Sequence, residues 1–181
     1  MANSKITKLR QEIKAIKIDK EWGKLLDETV NLINQCKYKK ALTIAKKALA
    51  MAESKVGPIH HNVYTCLNNL AVIYVAINDT SNTIKIYNRI IETIKELYGS
   101  SHHSLPIHIN RLAVLYQGEG NYAKAEELYL WEFEIVNNNW KAERQTNTNI
   151  SPKQKTIEFI YNQATVKIFY NLGGLYFAEK K

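Results

Sequence analysis

The sequence is poor in the residues that most other fold classes require. Its 181 residues include only 7 glycines, 3 prolines and 2 cysteines. Scarce glycine and proline imply few tight turns, which argues against a many-stranded β fold and favours long helices. Two cysteines cannot build a disulfide framework, so free thiols in a reducing compartment are expected. No apolar run reaches the roughly 18 residues that span a bilayer.

The N-terminal sequence also lacks the apolar region of a secretory signal, because charged residues interrupt it throughout. These two absences predict a cytoplasmic protein without membrane contact. The net charge of +8 favours an acidic partner through long-range attraction. Nearly all of that charge is lysine, and arginine, which suits bidentate phosphate recognition, is scarce. Nucleic-acid binding is therefore only a minor alternative, since no nucleic-acid motif accompanies the charge.

What the sequence does contain is an internal repeat of 42 residues. Gly57 and Gly99 are 42 residues apart, and the two His-His pairs at 60–61 and 102–103 share that offset. The offset continues into the following segments, where LNNLAVIY at 67–74 aligns with INRLAVLY at 109–116. Repeats at a fixed period are the sequence signature of stacked helical or β units.

Within each repeat the apolar spacing is helical. Leu67, Leu70, Ala71 and Tyr74 follow the i, i+3, i+4, i+7 pattern of one helix face, and short polar or glycine-containing turns separate successive helices. Each repeat is therefore predicted to be an αα-hairpin. A hairpin cannot bury both of its faces alone, so stacked hairpins would share a core. The predicted repeats cover residues 21–56, 57–98 and 99–140, with a partial repeat at about 155–181.

These motifs resemble the kinesin light chain type of tetratricopeptide repeat (TPR). The resemblance rests on LNNLAVIY, on GNYAKAEELY at 120–129 and on the Gly-x-x-His-His joint. It implies an all-α, right-handed superhelical solenoid of antiparallel hairpins, whose concave groove binds peptides or partner proteins. Two residues depart from the family pattern: Glu28 replaces an apolar leucine, and Glu132 takes a place usually held by alanine.

Two segments lie outside the regular repeats. The polar segment 137–155 replaces the expected joint and is predicted to be a surface loop before a lengthened helix. In the N-terminal segment 1–20, apolar residues spaced 3, 4, 3 fit either an amphipathic helix capping the first hairpin or a short dimeric coiled coil. After the partial repeat, the last helix either caps the stack or belongs to a longer protein.

No constellation of residues predicts an active site, a metal or a cofactor. A zinc site needs three or four converging ligands, whereas the adjacent histidines of each pair diverge and the pairs lie one repeat apart. They are instead expected to cap and pack the following helix. Cys66 should lie on a packed helix face, and Cys36 occupies a turn position that aligns with Gly120. Neither cysteine has an identifiable orienting group, as a nucleophile would need.

The predicted function is therefore that of a non-enzymatic scaffold that binds a protein or peptide in the groove, with an acidic partner favoured by the charge. Asparagine suits that groove because its amide both donates and accepts hydrogen bonds to a peptide backbone, and small neighbours leave room. An alternative is a regulatory or sensor module of a larger enzyme, such as a fused peptidase. The resemblance assigns these residues to the groove: Asn68, Val72, Val75, Ala76, Asn110, Val114, Gln117, Lys167, Tyr170 and Gly174.

Overall fold

The computed structural model describes residues 20–146 and 152–179, and within them every regular element is an α-helix. The predicted capping helix or coiled coil at 1–20 lies almost wholly outside these residues. The helices are α1 at 20–34, α2 (Tyr38–Val56), α3 (His61–Ala76), α4 (Thr80–Tyr98), α5 (Leu105–Gly118), α6 (Tyr122–Thr146) and α7 (Pro152–Glu179).

The chain divides into two compact units between Asp79 and Thr80. In the first unit, α2 packs against α3. The contact face of α2 is a stripe of small side chains at the 4, 3, 4 spacing of a helix face, which permits close approach of the two helices. The stripe consists of Ala41, Ala45, Ala48 and Ala52, all buried.

In the second unit, each helix packs against the next along the chain, from α4 to α7. Ala113 on α5 and Ala125 on α6 are both completely buried, as the small-residue pattern predicts. Thr83, at the equivalent place on α4, is also buried. Larger apolar residues fill the remaining interior, among them Ile90, Ile94, Leu105, Ile109, Leu112, Tyr129, Ile168 and Leu175.

The 42-residue period is visible in the backbone at three turns. Cys36, Asn78 and Gly120 have left-handed backbone conformations, with φ values of 56°, 55° and 76°. At each turn the following residue donates its N–H to the carbonyl five residues earlier, at 2.9–3.0 Å. The turn residue itself donates to the carbonyl three residues earlier, at 2.8–3.1 Å. This pair of hydrogen bonds is the Schellman motif, which ends a helix and satisfies its last carbonyls.

The prediction of a surface loop at 137–155 is wrong. Helix α6 continues to Thr146 and α7 begins at Pro152. Tertiary contacts stabilise the polar end of α6, because the Trp140 ring stacks on Tyr161 of α7 with centroids 4.9 Å apart. The Tyr161 hydroxyl also donates to Asn137 Oδ1 at 3.4 Å. Polar composition indicated a loop, but pairing with α7 keeps the segment helical.

We expect Cys36→Gly to stabilise the protein. A non-glycine residue in the left-handed region costs about 1–2 kcal/mol, and the greater freedom of glycine in the unfolded chain offsets part of the gain. The free energy of unfolding should rise by about 0.5–1 kcal/mol, measured by urea titration followed by circular dichroism. Gly120→Ala is the matched control and should lower it. A loss of stability in Cys36→Gly would contradict the assignment.

Candidate functional site

In the first unit, the four predicted groove residues lie together on α3. Val72 and Val75 expose 45% and 49% of their surface, and Ala76 is exposed beside them. Asn68 is half-buried, and its Nδ2 donates to the Tyr64 carbonyl at 3.0 Å, one turn earlier on the same helix. The Oδ1 acceptor of Asn68 is not part of that hydrogen bond. This face of α3 is therefore mainly an exposed apolar surface with one amide group at its edge.

In the second unit, Asn110 differs from the expectation of an exposed groove residue. It is only 4% exposed, and its Nδ2 donates to Glu132 Oε2 on α6 at 2.8 Å. Glu132 is itself buried in the middle of a helix, where a carboxyl group requires a donor. Asn110 thus positions a buried carboxyl group rather than facing solvent. The departure of Glu132 from the family's alanine and the burial of Asn110 have the same physical cause.

Burial changes the proton affinity of several groups around this contact. It raises the pKa of Glu132 to about 7, although the hydrogen bond from Asn110 and the positive charge of Lys167 act in the opposite direction. Burial, with a contribution from the charge of Glu132, raises the pKa of Tyr129 to about 12. His108 has its pKa lowered to about 4, by burial first and then by the charge of Arg111.

A second hydrogen bond between α5 and α6 fixes the orientation of Gln117. The hydroxyl of the fully buried Tyr129 donates to Gln117 Oε1 at 2.9 Å. With its oxygen held by Tyr129, the amide directs its nitrogen away from α6. Gln117 Nε2 lies 4.0 Å from the position that a Cβ atom would occupy on Gly174 of α7. Gln117 therefore links the interior of the second unit to the surface of α7.

Gln117 and α7 line one open pocket, which we call the glycine notch. It has a volume of ≈ 510 Å³, and it unites three of the predicted residues, whereas Val114 and Lys167 are exposed but outside its lining. Tyr170 is 81% exposed at its rim. The lining residues are Gln117, Tyr170, Asn171, Gly173, Gly174 and Phe177.

Asn171, Gly173 and Phe177 were missed as site residues. Phe177 is seven positions after Tyr170 and three after Gly174, so helical spacing alone places them on one face of α7. The paired glycines, which are unusual inside a helix, were the other available signal. In contrast, nothing in the sequence pairs Tyr129 with Gln117, because that contact joins two helices.

The two histidine pairs have structural roles at the joints. His60 is the N-cap residue of α3, and its Nδ1 accepts the Asn62 N–H at 3.1 Å. His102 repeats this arrangement 42 residues later, where its Nδ1 accepts the Ser104 N–H at 3.4 Å. The capping interpretation is therefore confirmed at both joints. Among the described residues, no group of three or more His, Cys, Asp or Glu residues could hold a metal ion.

Both cysteines occupy the places that the repeat predicts, and both are free thiols. Cys66 is 1% exposed on α3, and burial raises the pKa of its thiol, partly offset by a hydrogen bond from Trp22. A raised pKa makes a thiol less reactive. Cys36 is exposed at the turn before α2. None of the helices in the described ranges is both long enough and apolar enough to cross a membrane.

Solved structures with TPR-like repeats are similar to this chain. BtubC (BKLC) from P. vanneervenii matches with a TM-score of 0.65 and 20% sequence identity, over 90% of this chain and 58% of BtubC. A point variant of kinesin light chain TPR-like repeats from Podosopora anserina matches with a TM-score of 0.54 and 14% identity, over 84% of this chain and 71% of that one. A further structure of those repeats gives 0.50 and 11%, over 87% and 96%.

The structural likeness confirms the predicted all-α fold of TPR-like helix hairpins. The chain spans 58% of the length of BtubC. No family model matches this sequence, and neither does any curated protein. At these levels of identity the similarity concerns the fold, and function must be argued from the site.

The opposite pKa shifts of Glu132 and His108 predict a concealed pH dependence. Burial favours the protonated form of Glu132, whose pKa rises from 4.5 to about 7; its contribution is fully present below pH 4.5 and is lost as the pH rises to about 7. The lowered pKa of His108 acts in the opposite sense, since its contribution grows between about pH 4 and 6.5. Each amounts to about 3 kcal/mol, so the two nearly cancel.

Glu132→Gln should therefore uncover the contribution of His108. Its free energy of unfolding should rise by about 3 kcal/mol between pH 4 and 6.5 relative to the wild-type profile, measured by urea titration at a series of pH values. Glu134→Gln, which changes an exposed carboxyl group on the same helix, should retain the wild-type profile. Parallel profiles for wild type and Glu132→Gln would show that Glu132 has an ordinary pKa in the folded state.

Proposed function

For a chain with the TPR-like fold, we propose the function of a cytoplasmic, non-enzymatic scaffold that binds a peptide or protein segment. The observation that carries the proposal is the glycine notch, which brings Gln117, Tyr170 and Gly174 into one pocket. Ligand sites in proteins are concave and mostly apolar, with a few oriented polar groups. The notch has this composition, with aromatic rims and an amide that Tyr129 holds in place.

Exposed apolar side chains extend the proposed binding surface of the second unit beyond the notch. Val114 on α5 is 49% exposed, and Val166 and Phe169 on α7 are 65% and 57% exposed. Contiguous exposed apolar residues on a protein of this size are typical of interaction surfaces. In the first unit, Val72 and Val75 give α3 its own exposed apolar face, which we propose as an additional contact surface.

Charge supports an acidic partner at long range. The net charge of +8 raises the rate of encounter with negatively charged proteins, and salt weakens that attraction. Lys167 is the exposed cation among the proposed binding residues of α7. Asn110 contributes indirectly in this proposal, since its amide holds Glu132 within the helix pair that supports α5.

The proposal is tested by capturing partners from source lysate with wild-type and variant protein. Val114→Asp places a charge on the proposed surface at an exposed position, so the fold should be retained while capture of the specific partner falls at least about tenfold. Leu130→Asp is the matched control, because Leu130 of α6 is 50% exposed and lies outside the notch lining. Captured proteins are quantified by mass spectrometry.

Equal capture by wild type and Val114→Asp would contradict the proposed surface. Equal losses in both variants would mean that charge anywhere on the second unit disrupts binding, which also contradicts it. Recovery of nucleic acid in place of protein, with affinity falling steeply as salt increases, would favour electrostatic nucleic-acid binding instead.

A further inference from the structure

The glycine notch gives direct access to the backbone of α7. A Cβ atom built on Gly173 would meet nothing within 4 Å, and one on Gly174 would meet only Gln117 Nε2 at 4.0 Å. The space that side chains would normally occupy is therefore open. Tyr170 and Phe177, 81% and 68% exposed, flank this space on the same helix. A ligand group can thus reach the helix surface between two aromatic side chains.

The notch offers hydrogen-bond donors that the described part of the chain leaves unused. Gln117 Oε1 accepts from Tyr129, so the two N–H groups on Nε2 are left for another acceptor. The neighbouring Asn171 has a buried Nδ2 without a hydrogen-bond partner among the described residues. A buried donor without a partner is destabilising. Both groups would be satisfied by an acceptor that enters the notch, with a small adjustment of the Asn171 side chain.

The notch carries no charge of its own. None of its six lining residues is ionised near neutral pH. The nearest cation on α7 is Lys167, whose charge acts on Glu132. A carboxylate that entered would lose its hydration without gaining an ion pair, which is strongly unfavourable. A peptide carbonyl needs only the amide donors that are present.

We propose that the glycine notch binds an uncharged segment of the partner through a main-chain carbonyl. Gln117 Nε2 donates to that carbonyl, and an adjacent apolar side chain lies between Tyr170 and Phe177. The inference rests on the proposed function, and it specifies which part of a partner the second unit recognises. Any acidic residues of the partner would act outside the notch through long-range attraction.

The test uses two small probes that differ only in charge, N-acetyl-leucine amide and N-acetyl-leucine carboxylate. Each is titrated to millimolar concentration into ¹⁵N-labelled full-length protein, and the side-chain amide resonances of Gln117 and Asn171 are followed. We expect the neutral amide to shift the Gln117 resonances in a saturable manner. The carboxylate probe should bind at least about tenfold more weakly, because its charge must be desolvated.

Gly174→Leu supplies the structural control, because it fills the notch while favouring the helix. It should abolish the response to the neutral probe. Gly23→Leu makes the same change in α1, where a Cβ likewise meets nothing within 4 Å, and should leave the response intact. Circular dichroism shows that both variants remain folded.

The inference is overturned by tighter binding of the carboxylate probe, by the absence of any shift with the neutral probe, or by an unchanged response in Gly174→Leu. These failures differ from failure of the proposed function, because partner capture is measured separately. If Val114→Asp loses the partner while the neutral probe does not bind, the scaffold function stands and the notch is not its recognition site.

Discussion

The second unit depends on a carboxyl group that is buried within a helix pair. Glu132 occupies a position where small residues would pack easily, and it is accommodated because Asn110 donates to it from α5. Tyr129, one turn earlier on α6, donates in turn to Gln117. These two contacts hold α5 against α6 at two successive levels. They also determine which polar groups are left for a ligand: Asn110 is used internally, whereas the Gln117 nitrogen faces α7.

This division between internal and external polar groups explains why the binding surface differs from a simple row of asparagines. At Asn68 and Asn110 the amide nitrogens are already engaged, one with the backbone of its own helix and one with Glu132. Recognition in the second unit, as we propose it, instead combines a fixed glutamine, two aromatic rims and an open stretch of helix backbone. Such a surface reads shape and main-chain polarity more than side-chain charge.

The 42-residue period made the hairpins and their turns predictable. Cys36, Asn78 and Gly120 share a turn geometry that only a register argument could connect, since their side chains have nothing in common. The environment of Asn110 was not predictable, because it depends on a residue 22 positions away on another helix. The same limit applies to the end of α6, where stacking between Trp140 and Tyr161 outweighs a polar composition typical of loops.

The adjacent glycines of α7 have a consequence for how this protein can evolve. Each glycine within a helix lowers helix stability by roughly 1 kcal/mol relative to alanine, and both lie in open space where larger residues would fit. Substitution at either position is therefore thermodynamically easy, and a search for greater thermal stability would replace them early. Such a variant would be more robust but would have a smoother α7, which is a trade-off between stability and binding.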